Sequence, residues 1–215
     1  MADLQRHEQQ CTRPGGAQRE AAEAPFMPGG DEQGHDHGQA VGQQQEIEHR
    51  CVADVLGAPP GGVNDRGNGV YVWNAPGLLL EDNDIRFGKD GVFVNTSHDD
   101  TFRHNRFRDL RFAVHYMYTH ASRIEANVSI GNHLGYAVMS SDRVQVTGNI
   151  SIDDRDHGIM LNYTNSSTIS GNLVLRTADK CLFIYNAHKN TIAGNRFEGC
   201  GIGIHFTAGS ERTAI

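Results

Sequence analysis

The 215-residue chain is 38% hydrophobic and carries 25 glycines, a balance that suits many short strands joined by turns better than a helix-rich globule. Its net charge of −7 is uneven: residues 1–62 hold 10 acidic and 4 basic side chains, residues 63–215 hold 16 and 15. The near-neutral second part argues against a nucleic-acid binder with a basic face, and no apolar run approaches the roughly 18 residues of a membrane-spanning helix.

Residues 1–62 contain nine Gln, ten Gly and only scattered apolar side chains, with no persistent period of 2 or 3.6. Stretches such as MPGGDEQGHDHGQAVGQQQ and GAPPGG cannot bury enough surface to offset their ordering entropy, so a disordered tail is expected. His35-Asp36-His37 is a conceivable metal contact, but solvated chain is the simpler reading, and no function is assigned here. The N-terminus as it stands lacks a basic stretch followed by an apolar one, so it does not read as a secretory signal. Cys11 and Cys51 fall in this segment, while Cys181 and Cys200 fall in the patterned part. A bridge between the latter pair is possible, but two free, mostly buried thiols are the plainer reading.

From residue 63 the sequence repeats. Aligned on Gly69, Gly91, Ala113, Gly135, Gly158, Cys181 and Gly203, the steps are 22, 22, 22, 23, 23 and 22 residues. Each unit opens with a strand-like run: GVYVWN, GVFVNT, AVHYMY, GYAVMS, GIMLNY, CLFIYN, GIHFTA. Eleven residues after each start stands an apolar side chain (Leu80, Phe102, Ile124, Val146, Ile169, Ile192), and three further on stands Asn83, Asn105, Asn127, Asn149, Asn172 or Asn195. Helical repeats are longer and read in 3.6-residue periods, and the leucine-rich frame is missing. The pattern predicts an all-β fold, a right-handed parallel β-helix of about seven coils over 63–215. Stacked about 4.8 Å apart, each Asn amide would donate to the carbonyl of the next, and Asn would also tolerate a left-handed corner.

Strand alternation assigns faces. The second and fourth residues of each run, such as Val114 and Tyr116, fill the coil. The third and fifth then point out, giving a stripe that includes Tyr71, Trp73, Phe93, His115, Met117, Met139, Met160, Phe183, Tyr185 and His205. Such an apolar outer stripe reads as a binding surface. Met117 and Met139 share a column with His115 beside them, and thioether plus imidazole is a soft donor set suited to Cu(I). His115, Met117, Met139, Met160 and His205 are therefore candidate copper contacts, although cover by another part of the protein or by a partner, with the Met side chains filling gaps, is the plainer reading.

Two further groups are weaker. His98, His120 and His188 share a turn position that Asp142 and Asn165 occupy in the coils between, so a three-His site is strained and solvated turn residues are the plainer reading. The acidic run Asp153-Asp154-Arg155-Asp156-His157 would hold Ca²⁺ or supply a carboxylate base in a carbohydrate-active β-helix enzyme, a lyase or epimerase, though such runs more often cap turns.

The phrases FRDLRFAVHYMYTHAS (107–122), GNHLGYAVM (131–139), DRDHGIMLNY (154–163), KCLFIYNAHKN (180–190) and FEGCGIGIHFTAGSER (197–212) resemble the NosD family. The resemblance, over roughly residues 66–215, implies a periplasmic, non-catalytic β-helix protein that handles copper. It implies work with an ABC transporter (ATPase and permease) and with nitrous oxide reductase in assembling that enzyme's copper–sulfide centre. Residues 1–62 resemble no part of the family, and the chain stops inside the expected seventh coil, so a fragment with an incomplete C-terminal end is expected.

Overall fold

The structure, a computed structural model, describes residues 62–215 and the backbone of His49–Arg50. His35-Asp36-His37, Cys11 and Cys51 lie outside the described residues. Three parallel sheets wind the chain into a solenoid. The first sheet stacks Val70–Trp73, Asp90–His98, Phe112–His120, Leu134–Met139, His157–Asn162, Lys180–Tyr185 and Ile202–Thr207. The second stacks Leu78–Glu81, Thr101–Arg103, Arg123–Glu125, Gln145–Thr147, Thr168–Ser170 and Thr191–Ala193; the third stacks Asp84–Arg86, Arg106–Arg108, Val128–Ile130, Ile150–Ile152, Leu173–Leu175 and Arg196–Glu198. These make six complete coils and the opening strand of a seventh. The second sheet also gains His49–Arg50, paired with Leu78 and Leu79, from within the segment read as tail. Among the described residues no helix is long and apolar enough to cross a membrane.

Register follows the repeat, with Val92 beside Val114, Val114 beside Tyr136 and Tyr136 beside Ile159. Inward positions of the first six runs, from Val70 to Ile184, are buried, as is the apolar column Leu80, Phe102, Ile124, Val146, Ile169 and Ile192. The column of small residues has a steric cause. A Cβ on Gly91 would stand 2.5 Å from the Ala113 carbonyl oxygen and 2.5 Å from Phe107 Cδ1, because there the chain turns in over the third sheet.

The asparagines form a continuous inner ladder. Each Nδ2 donates to the next Oδ1, from Asn83 to Asn105 at 2.8 Å through Asn172 to Asn195 at 2.9 Å. Each Oδ1 from Asn105 onward also accepts the backbone N–H of the preceding Asn. One part of the expectation is corrected. The left-handed residues at this corner are those just before the ladder, Asp82, His104, Ala126, Gly148, Gly171 and Gly194, with φ between 53° and 63°. The asparagines are selected for their amides, which satisfy buried backbone groups where the strands end.

Candidate functional site

The outward face of the first sheet carries two columns set by strand pairing. One runs Tyr71, Phe93, His115, Ala137, Met160, Phe183, His205; the other runs Trp73, Asn95, Met117, Met139, Asn162, Tyr185, Thr207. Met117 and Met139 are direct neighbours, one strand spacing apart, and both are half-buried. Asn162 follows Met139 in its column, and its Oδ1 is buried without a hydrogen-bond partner. Met160 lies between Ala137 and Phe183, diagonal to Met139. His205 pairs with Phe183 and stands four strands from His115, about 19 Å away. The five candidate residues therefore do not converge on one ion. Met117, Met139 and His115 form one group, with Met160 on its margin and His205 apart.

The stripe is less open than alternation alone implies. Trp73 is 55% exposed, but His115 is only 7% exposed and Ala137 is fully covered. The aromatic neighbours seal it: Phe93 and Phe112 lie with ring centroids 4.8 and 4.9 Å from the imidazole. Beneath them Asp90, wholly buried, takes two bonds from Arg111 (2.7 and 2.6 Å) and faces His115 Nδ1 at 3.0 Å. Burial pushes the Asp90 carboxyl up, yet the bonds from His115 and Arg111 outweigh it and hold the group below its usual range. An ionised Asp90 only accepts, so Nδ1 is the nitrogen that carries a proton toward it, and in the neutral ring Nε2 is the one with the lone pair. That Nε2 is buried and has no hydrogen-bond partner. A carboxylate fixing one imidazole nitrogen while the other stays free is how histidine is presented to metals. The donors fit a soft cation: one oriented imidazole and two adjacent thioethers.

The acidic run is divided between environments. Asp153 is exposed and pairs with Arg176 at 2.8 and 3.0 Å, a bond that lowers its carboxyl pKa. Asp154 points into the coil, where it accepts from Ser129 Oγ (2.8 Å), Ser151 Oγ (2.6 Å) and the Asn132 N–H (2.8 Å). Burial nonetheless raises it to about 6. Arg155 reaches the Gly131 carbonyl at 3.3 Å, while Asp156 and His157 return to the outer face. The five side chains do not assemble around one substrate position. At the turn column, His98 stands in register with His120, but each pairs with its own carboxylate, Asp99 and Asp142, and His188 lies beyond Asn165.

Cys181 and Cys200 are joined as a disulfide with Cα atoms 5.6 Å apart. Cys181 occupies the small-residue column, and Thr177 Oγ1 donates to Cys200 Sγ at 2.9 Å. Asp90, the orienting partner of His115, escaped sequence reading. Twenty-five positions separate the two, so the link crosses from one column to another and no single period exposes it.

A family model described as "Periplasmic copper-binding protein (NosD)" matches residues 48–215. The "Probable ABC transporter binding protein NosD" of Stutzerimonas stutzeri is 39% identical over 165 residues, covering 70% of this chain and 38% of that protein. The protein of the same name from Pseudomonas aeruginosa is 42% identical over 88 residues, 35% of this chain and 21% of that one. The chain thus spans less than two-fifths of the length of these curated relatives. The crystal structure of the periplasmic alginate epimerase AlgG superposes with a TM-score of 0.60 at 18% identity, covering 65% of this chain and 35% of that one; the likeness is one of fold.

Proposed function

Because the chain belongs to the NosD family, whose members are described as periplasmic copper-binding proteins, we propose that it is a non-catalytic accessory protein carrying Cu(I) as cargo. In this reading it serves assembly of the copper–sulfide centre of nitrous oxide reductase and docks that enzyme and an ABC transporter, its ATPase and permease. The relatives' names support the transporter part. The observation that carries the copper part is the adjacent Met117 and Met139 beside His115, whose tautomer Asp90 fixes.

The residues divide the work. Asp90 and Arg111 hold the imidazole so that only Nε2 is offered, which removes a rotational cost at the moment of binding. Met117 and Met139 supply soft, polarizable sulfur on flexible stems that follow an ion arriving from a partner or leaving to one. Half-burial suits passage rather than permanent retention. Met160 and His205 lie further along the same face and would extend the path rather than complete the first coordination sphere.

Cu(I) titration of the 215-residue chain against a competing chelator tests the reading. The Met117→Ala/Met139→Ala variant should bind at least tenfold more weakly, with an unchanged fold by circular dichroism. Equal affinity in the two proteins removes copper from the proposal.

A further inference from the structure

At the other end of the same outer face, Asp156, His157 and Asp179 bring one ligand atom each within 4.8 Å of one another. His157 Nδ1 lies 3.2 Å from Asp156 Oδ1 and 3.8 Å from Asp179 Oδ2. Donors bound to a single Zn²⁺ at ordinary bond lengths and tetrahedral angles stand about 3.3 Å apart, so small rotations suffice. His133 Nε2, 4.0 Å from Asp156 Oδ2 and on an exposed side chain, is within reach as a fourth ligand.

Acidic clusters are common without ions; a separate feature distinguishes this one. His157 is only 7% exposed, and its buried Nδ1 makes no well-directed hydrogen bond although two carboxylates flank it at 3.2 and 3.8 Å. A buried imidazole nitrogen that faces two carboxylates without a directed bond to either is placed as a ligand would be, and a cation among the three would satisfy all of them. The ring is held by Phe183, whose centroid lies 5.0 Å away. Lys180, its ammonium 5.2 Å above the same Phe183 ring, is in close contact with Asp179 Oδ2. It stands where a metal would draw Asp179, so the ammonium acts as a built-in competitor.

We propose that Asp156, His157 and Asp179, with His133 completing the set, form a site for a borderline divalent cation of the Zn²⁺ type. Two imidazoles with two carboxylates make too hard a set for Cu(I), so the two sites on this face differ in the ions they take. His157 lies five residues from Asn162, the neighbour of Met139, about 16 Å along the strand. The inference does not rest on the copper reading.

The test is a Zn²⁺ titration of the 215-residue chain against a chromophoric chelator. Histidines elsewhere contribute equally to every protein compared, so differences carry the answer. His157→Gln should lose one equivalent of Zn²⁺. Asp179→Asn, a change at a half-exposed side chain that should leave the melting curve intact, should weaken that equivalent at least tenfold. Lys180→Met should tighten it severalfold by removing the competing charge. Met117→Ala/Met139→Ala should leave Zn²⁺ binding unchanged, which separates this site from the copper one. Equal stoichiometry and affinity in the wild type, His157→Gln and Asp179→Asn would overturn the proposal, as would weaker binding by Lys180→Met.

Discussion

Asn127 sits in the middle of the ladder, fully buried, and its side chain makes four bonds. It accepts from the Asn105 backbone N–H and from Asn105 Nδ2, both at 3.0 Å, and donates to the Phe102 carbonyl at 2.8 Å and to Asn149 Oδ1 at 3.1 Å. Asn127→Ala removes all four and takes the acceptor from the buried Asn105 N–H. Net bonds contribute about 1 kcal/mol each and a stranded buried N–H costs a further 1–3, so partial relaxation leaves a loss of about 4 kcal/mol. Asn195→Ala is the control. Asn195 is half-exposed, accepts two bonds from Asn172 and donates one to the Ile169 carbonyl, so about half that loss is expected. Urea denaturation followed by circular dichroism, at equal m-values, measures both. The reasoning fails if the two substitutions cost the same, or if Asn127→Ala costs less than about 1 kcal/mol, because the ladder would then mark the corner without holding it.

Two other outcomes follow from buried groups. Asp154 and Asp100 titrate at about 6 in the folded protein, against an ordinary 3.8, because burial outweighs their hydrogen bonds. The folded state then keeps protons that the unfolded chain releases, so the contribution of these two groups falls as pH rises from about 4 to 6, by up to about 3 kcal/mol each, and is flat above that. Urea midpoints between pH 4 and 7 should show this decline, and Asp154→Asn should remove about half of it; an unchanged slope would refute the assignment. Asp90, held low by His115 and Arg111 against its burial, gives the opposite slope only below pH 4. The Cys181–Cys200 bond closes a separation of 19 residues, so Cys181→Ala/Cys200→Ala should cost about 3 kcal/mol by chain entropy. A midpoint unaffected by that pair would place the bond outside the unfolding unit.

Much of the fold was legible because a solenoid writes its contacts at a fixed separation. Met117 and Met139 are 22 residues apart and pair in register, Asn127 and Asn149 bond across the same separation, and both follow from the period alone. Contacts between columns were not legible. Asp90 reaches His115 across 25 residues, and Asp154 reaches Ser129 across 25 while pointing the opposite way from Asp156, two residues on. The acidic run is one cluster only along the chain: Asp153 pairs with Arg176 and Asp154 caps the Asn132 N–H, as expected of a turn. A turn sends successive side chains to different sides of the wall. The left-handed corner residue was likewise misplaced by one, since a period fixes which column bends only once hydrogen bonds are counted.

The same geometry explains how one face holds two unlike donor sets. Each coil contributes one side chain per column, so a soft pair arises from Met in adjacent coils, here at the fifth residue of the run. A harder set arises at the residue before the run, where His157 meets Asp156 of its own coil and Asp179 of the next. The rigid strand between them fixes their distance at about 16 Å, too far for one ion to be shared and near enough for a docked partner to meet both. Exposure, in contrast, depends on ring packing across columns: Phe93 and Phe112 cover His115 in a way no count of alternation reveals. Entry of a cation to His115 Nε2 therefore requires those rings to yield, while Met117 and Met139 remain partly open. The thioethers would be met first and the imidazole last, which gives a transfer path along this sheet a direction.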